Sequence, residues 1–131
     1  MQFYGFDQDD PIFRLDGWAL SFQIITLENI YGLAKDHVQM SASADGWTLI
    51  CDRLAWAGQQ EQAAGRFRAR FIRQSEGQLR VSLAAEAPEP IRAVKLIARQ
   101  LAPLQVLDMH DRPRDVPYDG LLEKYPNQLR L

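Results

Sequence analysis

Histidine and carboxylate side chains come together at one place in the sequence, the stretch DMHDRPRD at residues 108–115. His110 lies there close to Asp108, Asp111 and Asp115. Such nitrogen and oxygen donors could hold a metal ion or exchange protons. Their spacing fits none of the usual helical or loop arrangements of metal ligands, and prolines interrupt the segment. We therefore expect a solvated loop, with no metal and no cofactor.

Three other positions could carry reactive groups. Asp36 and His37 are adjacent, but successive side chains of a strand point to opposite faces, so they do not form a dyad. Cys51 occupies an apolar alternate position and is expected in the core, since a reactive thiolate needs an accessible, positive setting. The acidic run at residues 7–10 lacks the glycine and bidentate glutamate of a calcium loop and is expected to be frayed. No catalytic residue is predicted.

An aromatic ring beside side-chain amides is the arrangement that a sugar-binding surface uses. Trp56 precedes Gln59, Gln60 and Gln62 in the stretch CDRLAWAGQQEQ. The ring could stack on the C–H face of a sugar, and the amides could bind its hydroxyls. Trp56, Gln59 and Gln60 are therefore the candidate ligand site. The competing interpretation is an apolar plug at one end of the fold with ordinary surface glutamines.

Four arginines fall within GRFRARFIRQ, residues 65–74, which could bind nucleic acid, an anionic ligand or another domain. Arg66, Arg68 and Arg70 alternate with Phe67 and other apolar residues at the strand period of two. Nucleic-acid binding on a sheet usually interleaves exposed aromatic residues with the basic ones, and here the rings point the other way. We expect a solvated basic face, with docking to a neighbouring domain as the alternative function.

Composition limits the class of protein. The chain has 131 residues, 47% of them apolar, and a formal net charge of −2, which suits one globular domain with a tail and does not favour generic polyanion binding. A single cysteine excludes an intrachain disulfide framework. The absence of a signal-like start and of a long apolar run predicts a cytoplasmic protein without membrane contact. Basic residues are concentrated in the middle third: residues 62–101 carry eight bases and three acids.

Two Asp-Gly pairs, Asp16-Gly17 and Asp45-Gly46, predict hairpins with two-residue type I′ turns. The facing pairs predicted from these turns are Leu15–Trp18 and Phe13–Leu20 in the first hairpin, and Ala44–Trp47, Ala42–Leu49 and Met40–Cys51 in the second. Trp18 and Trp47 are accordingly expected in or near the core.

A third hairpin is predicted around a three-residue loop, Ser75-Glu76-Gly77, with Gly77 in the left-handed position of a bulge. This loop places Phe71 opposite Val81, Ala69 opposite Leu83 and Phe67 opposite Ala85 on one face. On the other face it places Arg70 beside Ser82, Arg68 beside Ala84 and Arg66 beside Glu86, the last as a weak ion pair.

Short antiparallel strands with turn signals every eight to twelve residues predict an all-β fold, an antiparallel β-sandwich of about seven or more strands. Residues 91–101 supply a further strand. Residues 27–35 could be a two-turn helix or an irregular strand, and residues 57–65 a polar connection. We place the β-sandwich domain at residues 1–102 and an extended tail or linker at residues 103–131, leading to a C-terminal domain beyond.

The segments CDRLAWAGQQEQAAGRFRARF and EPIRAVKLIARQL, residues 51–71 and 89–101, resemble the N-terminal β-sandwich that precedes the catalytic barrel in bacterial glycoside hydrolases of the α-galactosidase type. The resemblance spans about residues 12–101 and rests on the hairpin order, the alternating basic strand and a closing strand after a proline pair. It implies a non-catalytic accessory module of a larger carbohydrate-active enzyme, with the catalytic carboxylates in the other domain.

The expected partner is thus a downstream catalytic domain of the same polypeptide, met by the interdomain basic face of Arg66, Arg68 and Arg70. A carbohydrate is the second expected partner, and neither nucleic acid nor a membrane is expected. The alternative function is a stand-alone carbohydrate- or small-ligand-binding β-module that uses Trp56. Catalysis by this chain alone would need a pocket of perturbed titratable groups, which the sequence does not assemble.

Overall fold

A computed structural model describes residues 1–7, 10–15, 17–75, 78–99, 104–107 and 110–116. Contacts along the chain divide it into two compact units, Met1–Arg99 and Gln100–Leu131. The predicted boundary between residues 102 and 103 lies outside the described residues, and the predicted roles of the two parts stay predictions. No helix in the part of the chain that the structure describes is long and apolar enough to cross a membrane.

The first unit is built from nine strands and one short 3₁₀ turn at Lys35–His37. The strands are β1 Gln2–Asp7, β2 Asp10–Leu15, β3 Trp18–Thr26, β4 Ile30–Leu33, β5 Val38–Ser43, β6 Gly46–Trp56, β7 Glu61–Ser75, β8 Gln78–Glu86 and β9 Ile91–Arg99. All of their pairings are antiparallel. The predicted all-β, antiparallel fold is therefore confirmed.

Strands β3 and β6 organise the sheet. One edge of β3 pairs with β9, and the other pairs with β2 near its start and β4 near its end. In the same way β6 pairs with β7 along one edge, and with β5 and β4 along the other. Because β4 pairs with both β3 and β6, hydrogen bonding is continuous through all nine strands.

The core lies between the half of the sheet that contains β3 and the half that contains β7. The rings of Phe22 and Phe67 have centroids 4.8 Å apart, although their strands do not pair. Phe71 and Phe13 lie at 6.4 and 6.3 Å from Phe22. The sheet therefore folds over so that its two halves face each other across an aromatic centre, in which each ring buries a large apolar area.

The registers of the first and third hairpins are confirmed. Leu15 pairs with Trp18 and Phe13 with Leu20. All six pairs predicted between β7 and β8 are present, from Arg66–Glu86 to Phe71–Val81. The register shifts between Arg73 and Ser75, and Ser75 pairs with Gln78, so the extra residue lies in β7 and not in a three-residue loop. The predicted left-handed Gly77 lies outside the described residues.

The predicted register of the second hairpin is wrong by two residues. The turn is Ala44-Asp45, with Ser43 paired to Gly46, Ala42 to Trp47 and Met40 to Leu49. Gly46 belongs to β6, where a Cβ would overlap the carbonyl oxygen of Phe71. The glycine is thus needed for the close approach of β7 and not for the turn. A shift of two keeps each side chain on its predicted face, so Leu49 and Cys51 remain buried.

Several local expectations also change. Residues 27–35 contain β4 and no two-turn helix, and β7 begins four residues before the end of the predicted connection at 57–65. Trp47 packs against the core as predicted, whereas Trp18 is 49% exposed. Among the described residues, the pairing of β9 with β3 begins at Ala19, one residue after Trp18. Asp10 is not frayed but buried in β2, where it accepts a 2.6 Å hydrogen bond from Gln23.

The second unit contains a two-stranded antiparallel hairpin, β10 Leu104–Leu107 and β11 Pro113–Val116. Leu104 pairs with Val116 and Leu107 with Pro113. Hairpin pairing was not predicted for this segment, because its prolines obscure the strand alternation.

Candidate functional site

The outward side chains of β6, β7 and β8 form one continuous surface, which we call the arginine face. It consists of Ile50 from β6, Arg66, Arg68 and Arg70 from β7, and Ser82, Ala84 and Glu86 from β8. The strand pairing places these residues side by side, since Ile50 and Ala84 flank Arg68 on its two neighbouring strands. The three predicted interdomain arginines are therefore brought together.

Strand alternation decides which side chains reach this surface. Phe67, Ala69 and Phe71 point inward and are fully buried, while the arginines between them are exposed. Arg73 does not follow the others, because it is two residues from Phe71 and so lies on the face of β7 opposite to theirs. Its guanidinium lies over the ring of Trp47, 4.7 Å from the centroid. The arginine face thus carries three guanidinium groups from β7 and no aromatic ring.

The guanidinium groups of the arginine face differ in their partners. Arg70 lies 3.9 Å from a carboxylate oxygen of Asp45. The pKa of Asp45 is lowered mainly by the hydrogen bond from Ser43, and less by Arg70. Arg66 stands opposite Glu86 as predicted, but among the described residues it forms no ion pair within 4.0 Å, and neither does Arg68. The predicted Arg66–Glu86 ion pair is therefore absent, although the two residues face each other.

A shallow depression of about 360 Å³ lies in the middle of the arginine face. Ile50 and Ala84 contribute apolar surface to it, and Arg66, Arg68 and Glu86 contribute charge. Ile50 is 46% exposed, so a partner could cover its apolar side chain. An apolar patch bordered by cations can accommodate a group that is itself apolar and flanked by anions.

A β-bulge adjoins this depression. The pairing of β6 with β7 shifts between Cys51 and Arg53, and a second depression there is lined by Asp52, Arg53, Ala64, Gly65, Arg66 and Glu86. A Cβ on Gly65 would lie 2.7 Å from the carbonyl oxygen of Glu86 and 2.7 Å from Leu54, so glycine permits the close packing of the strands. Bulges often redirect side chains next to functional sites.

Asp52 lies at this register shift and is exposed, and its carboxylate lies 2.9 Å from Nδ1 of His37. The sequence reasoning missed this pair, since it compared His37 only with the adjacent Asp36. The signal for it is the register of the second hairpin, because Val38 pairs with Cys51 and His37 therefore lies beside Asp52. The predicted register, two residues away, did not bring the two residues together. No serine or cysteine that could act as a nucleophile contacts His37 among the described residues, so the pair does not complete a catalytic triad.

Trp56 and its glutamines lie at the other end of β6, roughly 20 Å from Ile50 at 3.3 Å per strand residue. Trp56 is 39% exposed. Gln59 donates its amide to the carbonyl of Leu33 at 3.0 Å and accepts a bond from the backbone N–H of Lys35 at 3.0 Å. Both ends of this amide therefore support the backbone, whereas Gln60 is exposed.

The remaining candidates offer little chemistry. Cys51 is fully buried, as predicted, and donates to the carbonyls of Arg53 and Ala34; burial raises the pKa of its thiol. Asp108 lies outside the described residues. Within the described ranges, no three histidine, cysteine, aspartate or glutamate side chains are grouped so as to hold a metal ion.

Comparison with known proteins adds no relative. No family model matches the chain, and neither a curated protein nor a solved structure matches it. The resemblance to accessory domains of glycoside hydrolases therefore stays a prediction, and the candidate function has to be argued from the surface itself.

Proposed function

We propose that this chain is a non-catalytic accessory module that docks on an acidic surface of a neighbouring protein domain through the arginine face. The observation that supports this proposal is the combination of exposed Arg66 and Arg68 on β7, which form no ion pair among the described residues, with exposed Ile50 beside Arg68 on β6. Arginine is favoured at interfaces because its planar group binds carboxylates and still packs against apolar surface.

A protein surface suits the arginine face better than nucleic acid does. Single-stranded nucleic acid binds where exposed rings stack on the bases, and the rings of Phe67 and Phe71 are buried on the other side of β7. Glu86 adds a negative charge within the same depression, which opposes a phosphate backbone. A partner with spaced carboxylates and an apolar side chain matches both the charge and the Ile50–Ala84 patch.

The neighbouring domain that the sequence resemblance suggests is the catalytic domain of a larger carbohydrate-active enzyme. In this version of the proposal the present chain is the N-terminal domain, and the catalytic groups belong to the other domain. The β-sheet would act as a rigid support, because its side-chain positions are held by continuous strand pairing.

The test uses a labelled peptide in which glutamate and leucine alternate, with a glutamate–serine peptide of equal length and charge as comparison. Fluorescence anisotropy should show tighter binding of the glutamate–leucine peptide. The double variant Arg66→Gln, Arg68→Gln should bind it roughly fivefold more weakly, since two exposed pairs together contribute about 1 kcal/mol. Higher salt should weaken binding as well.

Arg92→Gln is the matched control, because Arg92 is an exposed arginine on β9. This variant should bind as the wild type does. Equal affinity for the two peptides, or equal losses in the control and the double variant, would show generic charge attraction and would contradict docking at the arginine face.

Because Trp56 is exposed, a second candidate function is that of a stand-alone carbohydrate-binding module. Binding on a glycan array that is lost in Trp56→Ala and kept in Trp18→Ala would support it. Trp18 is a suitable control, since its exposure is similar and it begins a different strand. The Gln59 amide is already hydrogen-bonded to the backbone of residues 33 and 35, which counts against this second function.

A further inference from the structure

As far as the described residues show, four strands of the unit Met1–Arg99 have a hydrogen-bonded neighbour on one side only: β1, β5, β8 and β9. An unpaired strand edge presents a row of backbone donors and acceptors that can pair with another chain. Proteins usually protect such edges with charges, prolines, bulges or a covering segment. The four edges differ in this protection.

Strand β5 lacks these protective features. All six of its residues pair regularly with β6, and residues 39–43 are exposed on both faces. Its sequence, VQMSAS, contains no charge and no proline. The other three edges are protected: β1 has a bulge, and β8 and β9 carry charged residues, namely Arg80 and Glu86 in β8 and Arg92, Lys95 and Arg99 in β9.

We propose that β5 pairs with β5 of a second copy of this chain, which continues the sheet across a twofold axis. A second copy is the partner that an uncharged edge favours, because no like charges would stand opposite each other and no charge on β5 would select a different partner. This inference goes beyond the proposed docking function and does not depend on it.

We place the centre of the antiparallel register at Ser41, because this register pairs all five exposed residues of β5, 39–43, with one another. An antiparallel pair keeps each residue on the same face as the residue opposite it. Centring on Ser41 places Met40 opposite Ala42 of the second copy and Gln39 opposite Ser43, so the face of Met40 continues as one face and the polar face as the other. Ser41 then lies opposite its own copy.

The arginine faces of the two copies do not oppose this arrangement. Five strand spacings separate the two β7 strands, which is about 24 Å at roughly 4.8 Å per spacing. That distance exceeds the screening length of about 8 Å at physiological salt. The arginine faces also stay open, because the new contact involves the edge of the sheet and not its surface.

Ser41→Lys tests the proposal, because it places two like charges directly opposite each other on the axis. Sedimentation equilibrium of the wild-type chain should show a concentration-dependent dimer, and Ser41→Lys should be monomeric. Ser82→Lys is the matched control, since Ser82 is an exposed serine on the edge strand β8, and it should dimerise as the wild type does. The double variant Arg66→Gln, Arg68→Gln should dimerise too.

Ser41→Cys gives a second readout that does not depend on the fold tolerating a lysine. Under mild oxidation it should form a dimer linked by a disulfide faster than Ser82→Cys does, and Cys51 should not interfere because it is fully buried. A wild type that is monomeric at every concentration at which it is soluble would overturn the proposal. A dimer that persists in Ser41→Lys, or equal cross-linking at residues 41 and 82, would also overturn it.

Discussion

The side chain of Gln59 shows how a polar residue can be structural in a place where its type suggests binding. It adopts a left-handed backbone conformation with φ 68°, next to Ala57 and Gly58, which also have positive φ. This turn brings the amide to the carbonyl of Leu33 and the N–H of Lys35. Gln59 therefore links the β6–β7 connection to the end of β4.

We expect Gln59→Ala to lower the free energy of unfolding by about 1–3 kcal/mol, because two backbone groups lose their partners and each such bond contributes about 0.5–1.5 kcal/mol. Gln60→Ala is the control, and it should change stability by less than about 0.5 kcal/mol, as exposed substitutions usually do. Urea denaturation measures both. A stable Gln59→Ala variant that had lost glycan binding would instead support the ligand-binding role.

The buried thiol of Cys51 should make the free energy of unfolding depend on pH in the alkaline range. Burial raises the pKa of its thiol above the ordinary value of 9.0. The unfolded chain releases the thiol proton as pH approaches 9, while the folded chain retains it, so the free energy of unfolding falls as pH rises through this range. The contribution of the protonated thiol to stability is complete below the pKa that the thiol has in the unfolded chain. It is lost as pH rises toward the higher pKa of the folded chain.

In Cys51→Ala this part of the pH dependence should disappear. The variant should be less stable at neutral pH, because it leaves a small cavity, yet its stability should decline less between about pH 8 and pH 10. Denaturant titrations of the two proteins at several pH values measure the difference, and the ionisation of Tyr31 cancels because both proteins share it. Parallel pH profiles would show that the buried thiol does not contribute.

Residue-level predictions from sequence succeeded where strand alternation decides the outcome. The alternation of Phe67 and Phe71 with arginines placed the rings inside and the guanidinium groups outside, and the burial of Cys51 followed from the same period. The contact of His37 with Asp52 was not predicted, because it depends on the pairing of Val38 with Cys51, and the predicted register of this hairpin was wrong by two residues. The burial of Asp10 depends likewise on Gln23 of a neighbouring strand.

At the scale of elements, the first two hairpins show that the glycine of an Asp-Gly pair can serve either a turn or the close packing of two strands. Asp-Gly predicts a turn, and at residues 16–17 the hairpin has the predicted register, with Gly17 at φ 85°. At residues 45–46 the same pair is displaced, because Gly46 is required within β6 where β7 approaches. A sequence alone cannot distinguish these cases, since the second depends on a strand more than twenty residues away.

Replacing Gly46 and Gly17 by alanine should therefore lower the free energy of unfolding by different amounts. Gly46→Ala should lower the free energy of unfolding by about 3 kcal/mol or more, because its Cβ would overlap the carbonyl oxygen of Phe71 and force the strands apart. Gly17→Ala should cost about 1 kcal/mol, since the space is open and the loss arises from the positive φ. Thermal and urea unfolding measure both, and equal costs would contradict the described packing of β6 on β7.

At the scale of the whole molecule, the sheet of the unit Met1–Arg99 has a buried apolar interior and an exposed polar surface. The all-β class could be predicted because turn signals and alternation are local properties. The connection of both halves through β4 could not, because only two residues of β4 pair with each central strand. Function is even less local, since Ile50, Arg68 and Ala84 become neighbours only when three strands align.

The most direct measurement of the docking account is the amide NMR spectrum of the whole chain during titration with the glutamate–leucine peptide. Docking at the arginine face predicts shift changes centred on Ile50, Arg66, Arg68 and Ala84. These changes should saturate with the affinity measured by anisotropy and should be absent in the double variant Arg66→Gln, Arg68→Gln. Changes centred on Trp56 and Gln60, or a spectrum that does not change, would contradict it.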